Sequence, residues 1–239
     1  MPSPCFDFKR FRIWHDRCAM KVNTDAVLLA TWADVKGVRK VLDVGCGCGI
    51  IGLMVAQRAP LARVTGMDID PEAAAQAMYN ALQSPFADRV VFSCCDVRDY
   101  DEMETFDCIF CNPPFYTEDT LPPDTQRSLA RNASRLPFAE LVSKVERLLS
   151  AGGRFHVVLP KTAEPGFTQL CMIQGLYPER QCQVRTTSRK APKRTLCTYL
   201  KGTVQKFETE EFVLMENGMR SETYQRLTTD FYLDDPQSS

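Results

Sequence analysis

Asn112-Pro113-Pro114-Phe115 sets one amide, two prolines and an aromatic ring directly after the apolar run from Phe106 to Cys111. The Asn112 side-chain oxygen and the Pro113 carbonyl can each accept one N–H of an NH2 group, and the prolines stiffen the backbone without adding a competing donor. Such acceptors suit chemistry at a nitrogen whose lone pair is delocalised, an exocyclic ring amine or a carboxamide. They draw the nitrogen toward sp3 geometry and aim its lone pair at an electrophile. Phe115 would stack on a planar substrate. The same four residues also read as a strand-ending turn, because Asn and Pro punctuate chains, so the surroundings must decide.

The surroundings offer a place for a nucleotide-like cofactor. A short buried strand at 41–44 runs into Gly45-Cys46-Gly47-Cys48-Gly49, glycines that allow close backbone approach and open a helix whose N–H groups face a crevice. Gly47 to Gly52 spells G-x-G-x-x-G and Asp68 follows about twenty residues on, as in the dinucleotide fingerprint, so spacing alone does not separate a nicotinamide cofactor from S-adenosylmethionine. Other features favour the methyl donor. Asp43 precedes the first glycine, where a carboxylate can pair with the ammonium of a methionine moiety and would oppose a pyrophosphate. Asp96 can accept from an adenine amino group, while Ile69 and Val97 offer apolar walls for the ring. The electrophile then lies beside Asn112.

The elements that must hold these residues alternate from Lys40 onward, the pattern of a parallel sheet with helices on both faces. Strands are expected at 41–44, 63–68, 90–94, 106–111 and 154–159. Helices are expected at 50–58, from Asp70-Pro71 to about Leu82, at 137–149 with Gly152-Gly153 terminating it, and at 165–175. Runs 181–187 and 195–201, joined by a short loop, predict an antiparallel hairpin at the sheet edge. Asn217-Gly218 reads as a turn and 221–227 as a short helix, whereas 116–136 lacks periodicity and reads as a mobile substrate loop.

Composition narrows the class. At 239 residues, 44% hydrophobic and 25% charged, the chain suits one α/β domain with a full core. No apolar run reaches a membrane span and the start lacks a signal peptide's apolar segment, so a cytoplasmic protein without membrane partners is expected. The 11 cysteines form no spaced framework and are read as small buried hydrophobes in a reducing compartment, without disulfides or a metal. With only two histidines, a zinc centre would lack imidazoles. His15 reads as a surface or core histidine. The net charge of −1 argues against nonspecific coating of nucleic acid but leaves room for a local patch. Lys9, Arg10, Arg12, Arg17 and Lys21 form one basic segment. Arg185, Arg189, Lys190, Lys193 and Arg194 form another, in and around the loop between two strands. Either can be merely a solvated face.

Together these residues resemble class I S-adenosylmethionine-dependent methyltransferases, and NPPF resembles the [DNS]-P-P-[FYW] motif of their amino-methylating branch. The opening from Phe11 through Met20-Lys21-Val22-Asn23-Thr24-Asp25 to Leu29, and the ending from Ser221 to Leu233, resemble the bacterial valine tRNA adenine-N6 methyltransferase family, which acts on adenine 37. The resemblance spans nearly the whole chain. One departure is Asn23, where the family usually has glycine; Asn is expected to tolerate a left-handed backbone there. The resemblance implies a Rossmann-like α/β fold with a mostly parallel seven-stranded sheet and an antiparallel edge hairpin. Residues 1–36 would form a substrate and cofactor lid segment, 37–202 the core and 203–239 a C-terminal extension. It implies S-adenosylmethionine held by Asp43, Gly45, Gly47, Gly49, Asp68, Ile69, Asp96, Val97 and Asn112, with Thr24 and Asp25 as a lid, although Asp25 could instead cap a helix. Asn112, Pro113, Pro114 and Phe115 would hold the adenine. A monomer acting on tRNA is expected, the 185–194 cluster contacting phosphates. Three rivals remain at this stage: a protein glutamine-N5 methyltransferase, a nicotinamide-dependent oxidoreductase, and a non-catalytic RNA-binding relic.

Overall fold

The computed structural model describes residues 3–100, 103–113 and 136–233. An antiparallel ribbon, β1 (Cys5–Asp7) with β2 (Arg12–Trp14), leads into α1 (Thr24–Trp32). Asn23 caps α1, its Oδ1 accepting from the Ala26 N–H at 2.9 Å, and its backbone is extended at φ −136°. The left-handed backbone expected at Asn23 is therefore corrected: the residue is there for its side-chain acceptor.

The core alternates as expected: β3 (Lys40–Val44), α2 (Ile50–Arg58), β4 (Arg63–Asp68), α3 (Pro71–Leu82), β5 (Val90–Cys94) and β6 (Phe106–Cys111), followed by α4 (Phe138–Leu148), β7 (Leu149–Pro160) and α5 (Glu164–Ile173). Strands β5-β4-β3-β6-β7 are parallel neighbours in that order. Alternate residues feed two cores. Val41, Val64, Val90, Phe92, Cys108 and Phe110 pack with α1 and α2, while Leu42, Val44, Ile109, Cys111, Phe155 and Val157 pack with α4. A parallel sheet covered on both faces needs such apolar runs, which is why the strands were legible from hydrophobicity.

Three expectations change. Gly152-Gly153 does not end α4. That helix stops at Leu148, β7 begins at Leu149, and the glycines lie where the β6–β7 register slips between Phe106 and Cys108. A Cβ on Gly153 would lie 2.9 Å from the Ser150 carbonyl oxygen, so the irregularity itself requires the small residue. The hairpin of β8 (Leu176–Thr187) and β9 (Arg194–Lys201) forms, with β9 antiparallel to both β7 and β8, but it is not the edge. β10 (Glu208–Glu216) adds parallel to β8, and β11 (Met219–Arg220) pairs back on β10 through the Asn217-Gly218 turn. Among the described residues the sheet therefore has nine strands, against the seven expected. β10 takes up the backbone groups that an exposed β8 would leave unpaired. Finally, α6 (Glu222–Thr228) is capped by Ser221, and Phe8 near the start of the described residues bridges Tyr232 near their end.

Candidate active site at the ends of the parallel strands

Chain order reverses direction across the sheet between β3 and β6, and a crevice outside the carboxyl ends of strands at such a switch point is where open α/β sheets bind ligands. A cavity of about 860 Å3 lies here. Its walls include Gly45 and Gly47 after β3, Asp68 and Ile69 at the end of β4, Asp96 and Val97 after β5, and Asn112 and Pro113 after β6. Cys18-Ala19-Met20, Leu136 to Phe138 with Leu141, and Pro160, Thr162 and Ala163 also line it.

Asp68 organises the first wall. Its Oδ2 accepts from the Gly47 N–H at 2.8 Å and its Oδ1 from the Asp70 N–H at 3.0 Å, so one carboxylate fixes the glycine loop and the start of α3. A carboxylate has further lone pairs, which remain for hydroxyls of a ligand. Gly45 and Gly47 adopt φ +69° and +55°, and a Cβ on either would meet nothing within 4 Å. The loop thus leaves vacant space on its cavity side, a cradle that a side chain would fill.

Asp96 accepts from the Arg98 backbone N–H at 2.9 Å and from the guanidinium Nε at 3.0 Å on both oxygens. The Arg98 side chain holds the Asp96 carboxyl below the ordinary range. Arg98, which also lines the cavity, was missed in the sequence, although an Arg two residues beyond a carboxylate is a recognisable fork partner. Val97 is buried, whereas Ile69 is 47% exposed, consistent with one closed and one open wall of a ring slot.

Asn112 is 8% exposed, and among the described residues nothing hydrogen-bonds to its side-chain amide, which faces the cavity. Its carbonyl oxygen and NH2 group are thus open to the cavity, one acceptor and two donors free for a ligand. Pro113 adjoins it; Pro114, Phe115 and the 116–135 segment lie outside the described residues.

Four expected cofactor residues do not line this cavity. Asp43 is fully buried beneath the loop, where its Oδ2 accepts from the Gly52 N–H at 3.0 Å and its Oδ1 has no partner among the described residues. Burial pushes this carboxyl up to about 7, with Asp68 adding repulsion. It supports the first turn of α2 from below and does not line the cavity. A Cβ on Gly49 would lie 2.8 Å from the Phe92 ring, so that glycine serves core packing. Thr24 and Asp25 open α1, capped by Asn23, and Asp25 pairs with Arg194 at 2.8 Å.

The basic cluster divides likewise. Arg185 pairs with Glu211 and Arg194 with Asp25, whereas Arg189, Lys190 and Lys193 are exposed with no side-chain partner among the described residues. The histidines stay structural. His15 is buried, its Nδ1 accepting from the Val22 N–H at 3.4 Å. His156 contacts Thr198 Oγ1 at 2.9 Å and Cys108 Sγ at 3.6 Å, and burial lowers its pKa to about 3.

The Asp68 carboxylate on a glycine-lined wall opposes a pyrophosphate and suits a cationic ligand. Residues 18–166 match the family model described as the methyltransferase small domain. A solved structure from Agrobacterium tumefaciens, named as a predicted O-methyltransferase, superposes with a TM-score of 0.66 at 21% identity, covering 87% of this chain and 96% of that one. A Listeria monocytogenes protein described as a class I S-adenosylmethionine-dependent methyltransferase superposes with a TM-score of 0.57 at 14% identity, covering 85% and 65% of the two chains. The fold is that of a class I methyltransferase. Over 239 residues the chain is also 41% identical to a Bacteroides fragilis protein named tRNA1(Val) (adenine(37)-N6)-methyltransferase, covering 98% of this chain and 99% of the relative. The chain therefore belongs to the methyltransferase small domain family, in the full-length group that carries this tRNA methyltransferase name.

Proposed function

We propose that this protein methylates the N6 amine of an adenine in tRNA, adenine 37 of a valine tRNA, using S-adenosylmethionine. The observation that carries this reading is the open Asn112 amide at the end of β6, buried beside the glycine-lined cavity. The residues present fit the cofactor: Gly45 and Gly47 leave the space, Asp68 offers acceptors for ribose hydroxyls, and Asp96, Ile69 and Val97 form an adenine slot. When bound, S-adenosylmethionine supplies a methyl group on a positively charged sulfur.

The chain's own part is positional. The Asn112 Oδ1 and the Pro113 carbonyl each accept one N–H of the target amine, which pulls its lone pair out of conjugation and directs it across the cavity. The nitrogen forms the new N–C bond as the S–C bond breaks, and the surplus N–H proton then leaves to water, so no strong base is required of the protein. Phe115, by its place in the motif, stacks on the flipped base. Arg189, Lys190 and Lys193 hold phosphates. The protein acts as a cytoplasmic monomer, with residues 1–36 and 203–239 framing one catalytic domain. Among the described residues no helix is long and apolar enough to cross a membrane.

The test is transfer of label from radiolabelled S-adenosylmethionine into tRNA from a strain lacking the gene, with already modified tRNA as control. N6-methyladenosine appearing only in the unmodified pool is the expected result. Cofactor binding without incorporation into any RNA would overturn the reading and direct attention to a protein glutamine.

A further inference from the structure

A second cavity, of about 210 Å3, is lined by Trp14, Asp16, Arg17, Gln76 and Tyr79, none of which lines the first. It is smaller than the roughly 300–1,000 Å3 of a pocket for a drug-sized ligand, a scale that suits one flat ring. Gln76 is only 4% exposed, and its Oε1 accepts from the Arg17 N–H at 3.0 Å. Its Nε2 has no partner among the described residues, which leaves two amide donors at the cavity wall. The exposed Asp16 carboxylate adds acceptors and the exposed Arg17 guanidinium adds donors.

The Trp14 wall is tied to α3 through its backbone. Asn80, fully buried, accepts from the Trp14 N–H at 2.9 Å and donates to the Trp14 carbonyl at 2.8 Å. The Arg12 guanidinium lies 5.8 Å from the centroid of the Trp14 ring. Tyr79 is 47% exposed on α3. The two cavities are built from the same pieces: Trp14, Asp16 and Arg17 line one, and Cys18, Ala19 and Met20 the other. On α3, Ala73 faces the larger cavity and Gln76 and Tyr79 the smaller. Asn80 also donates to the Cys48 carbonyl at 2.9 Å, which ties the smaller cavity to the glycine loop.

We propose that the Trp14–Gln76–Tyr79 cavity binds one unpaired base of the RNA substrate, distinct from the base that is methylated. Stacking on aromatic rings with hydrogen bonds to the base edge is the general way proteins read single-stranded RNA. Exposed Arg10, Arg17 and Lys21 lie in the same segment and supply charge for the adjoining phosphates. The inference rests on the RNA reading of the function and deepens it, adding a point of contact besides the 189–193 loop.

Steady-state methylation of unmodified tRNA by Tyr79→Ala and Gln76→Glu tests it. Gln76→Glu keeps the acceptor for the Arg17 N–H and removes both free donors. Each variant is expected to raise KM for tRNA on the order of tenfold, Tyr79→Phe to restore it, and cofactor affinity by calorimetry to stay at the wild-type value. Ultraviolet cross-linking of bound tRNA should label the peptide carrying Trp14 or Tyr79. If wild type methylates tRNA while both variants keep its KM and no cross-link maps here, the cavity proposal alone falls. If wild type methylates no RNA, the functional reading falls and takes this inference with it.

Discussion

Gly45 and Gly47 meet nothing within 4 Å where a side chain would project, whereas at Gly49 and Gly52 a Cβ would come within 2.8 and 2.9 Å of the Phe92 ring. Gly66 on β4 completes the second set, with Phe92 2.3 Å from its would-be Cβ. The front of the loop is open toward the cavity. The rear is crowded because an aromatic ring from β5 is seated on three backbones. A single G-x-G-x-x-G string therefore spans two jobs, and only its first glycine faces the cavity. The same division runs through the carboxylates: Asp68 stands at the front, bonded to Gly47, and Asp43 lies behind, bonded to Gly52.

The largest effect should come from the front, at the site of reaction. Asn112→Ala is expected to lower kcat about 10²–10³-fold, as for loss of one oriented catalytic hydrogen-bonding group, while cofactor affinity measured by calorimetry holds. A parallel loss of cofactor binding would show that Asn112 belongs to the cofactor wall instead.

Next comes the rear carboxylate. Asp43 is held up to about 7 in the folded protein, against about 3.9 in an unfolded chain. Between those values the folded state carries a proton that the unfolded state lacks, so stability falls as pH rises from about 4 to about 7 and is flat above. Asp43→Asn should remove that slope, up to ~1.4 kcal/mol per pH unit, in denaturant titrations across the window. An unchanged slope would place the ionisation elsewhere.

The glycines then separate the two regions directly. Gly52→Ala overpacks against Phe92 and should cost roughly 1–3 kcal/mol of stability, seen as a lower Tm, with the surviving folded protein binding cofactor normally. Gly47→Ala should cost only about 1 kcal/mol from its left-handed backbone, yet weaken cofactor binding on the order of tenfold as the new methyl enters the cradle. Reversal of this pattern would break the distinction.

The smallest effect lies in the basic loop. Arg189→Ala should weaken tRNA binding by less than about 1 kcal/mol at physiological salt and reduce the salt slope of log K by roughly one. Arg194→Ala is expected to act differently, through its Asp25 partner on α1, and a salt slope identical to that of Arg189→Ala would refute that.

Much of this protein was written along the chain. Periodicity placed the central strands and helices because a covered parallel sheet demands apolar runs, and Asn112, Asp68, Asp96, Gly45 and Gly47 stood out because their types and strand-end positions are local properties. The placement of β10 beside β8 was not local. It depends on an unpaired strand edge that exists only once the hairpin has docked on β7.

Tertiary structure alone decided how those residues are used. Gly49 is a packing glycine because Phe92, 43 residues later, is brought over it. Asp25 and Arg194 are 169 residues apart and neutralise each other, and Trp14 meets Gln76 and Tyr79 where Asn80 and Gln76 bond the lead-in of α1 to α3. Sequence fixes which groups a segment can offer. Which of them face a ligand, a partner or a crowded core is settled by long-range packing, because burial and hydrogen-bond satisfaction belong to the whole assembled fold.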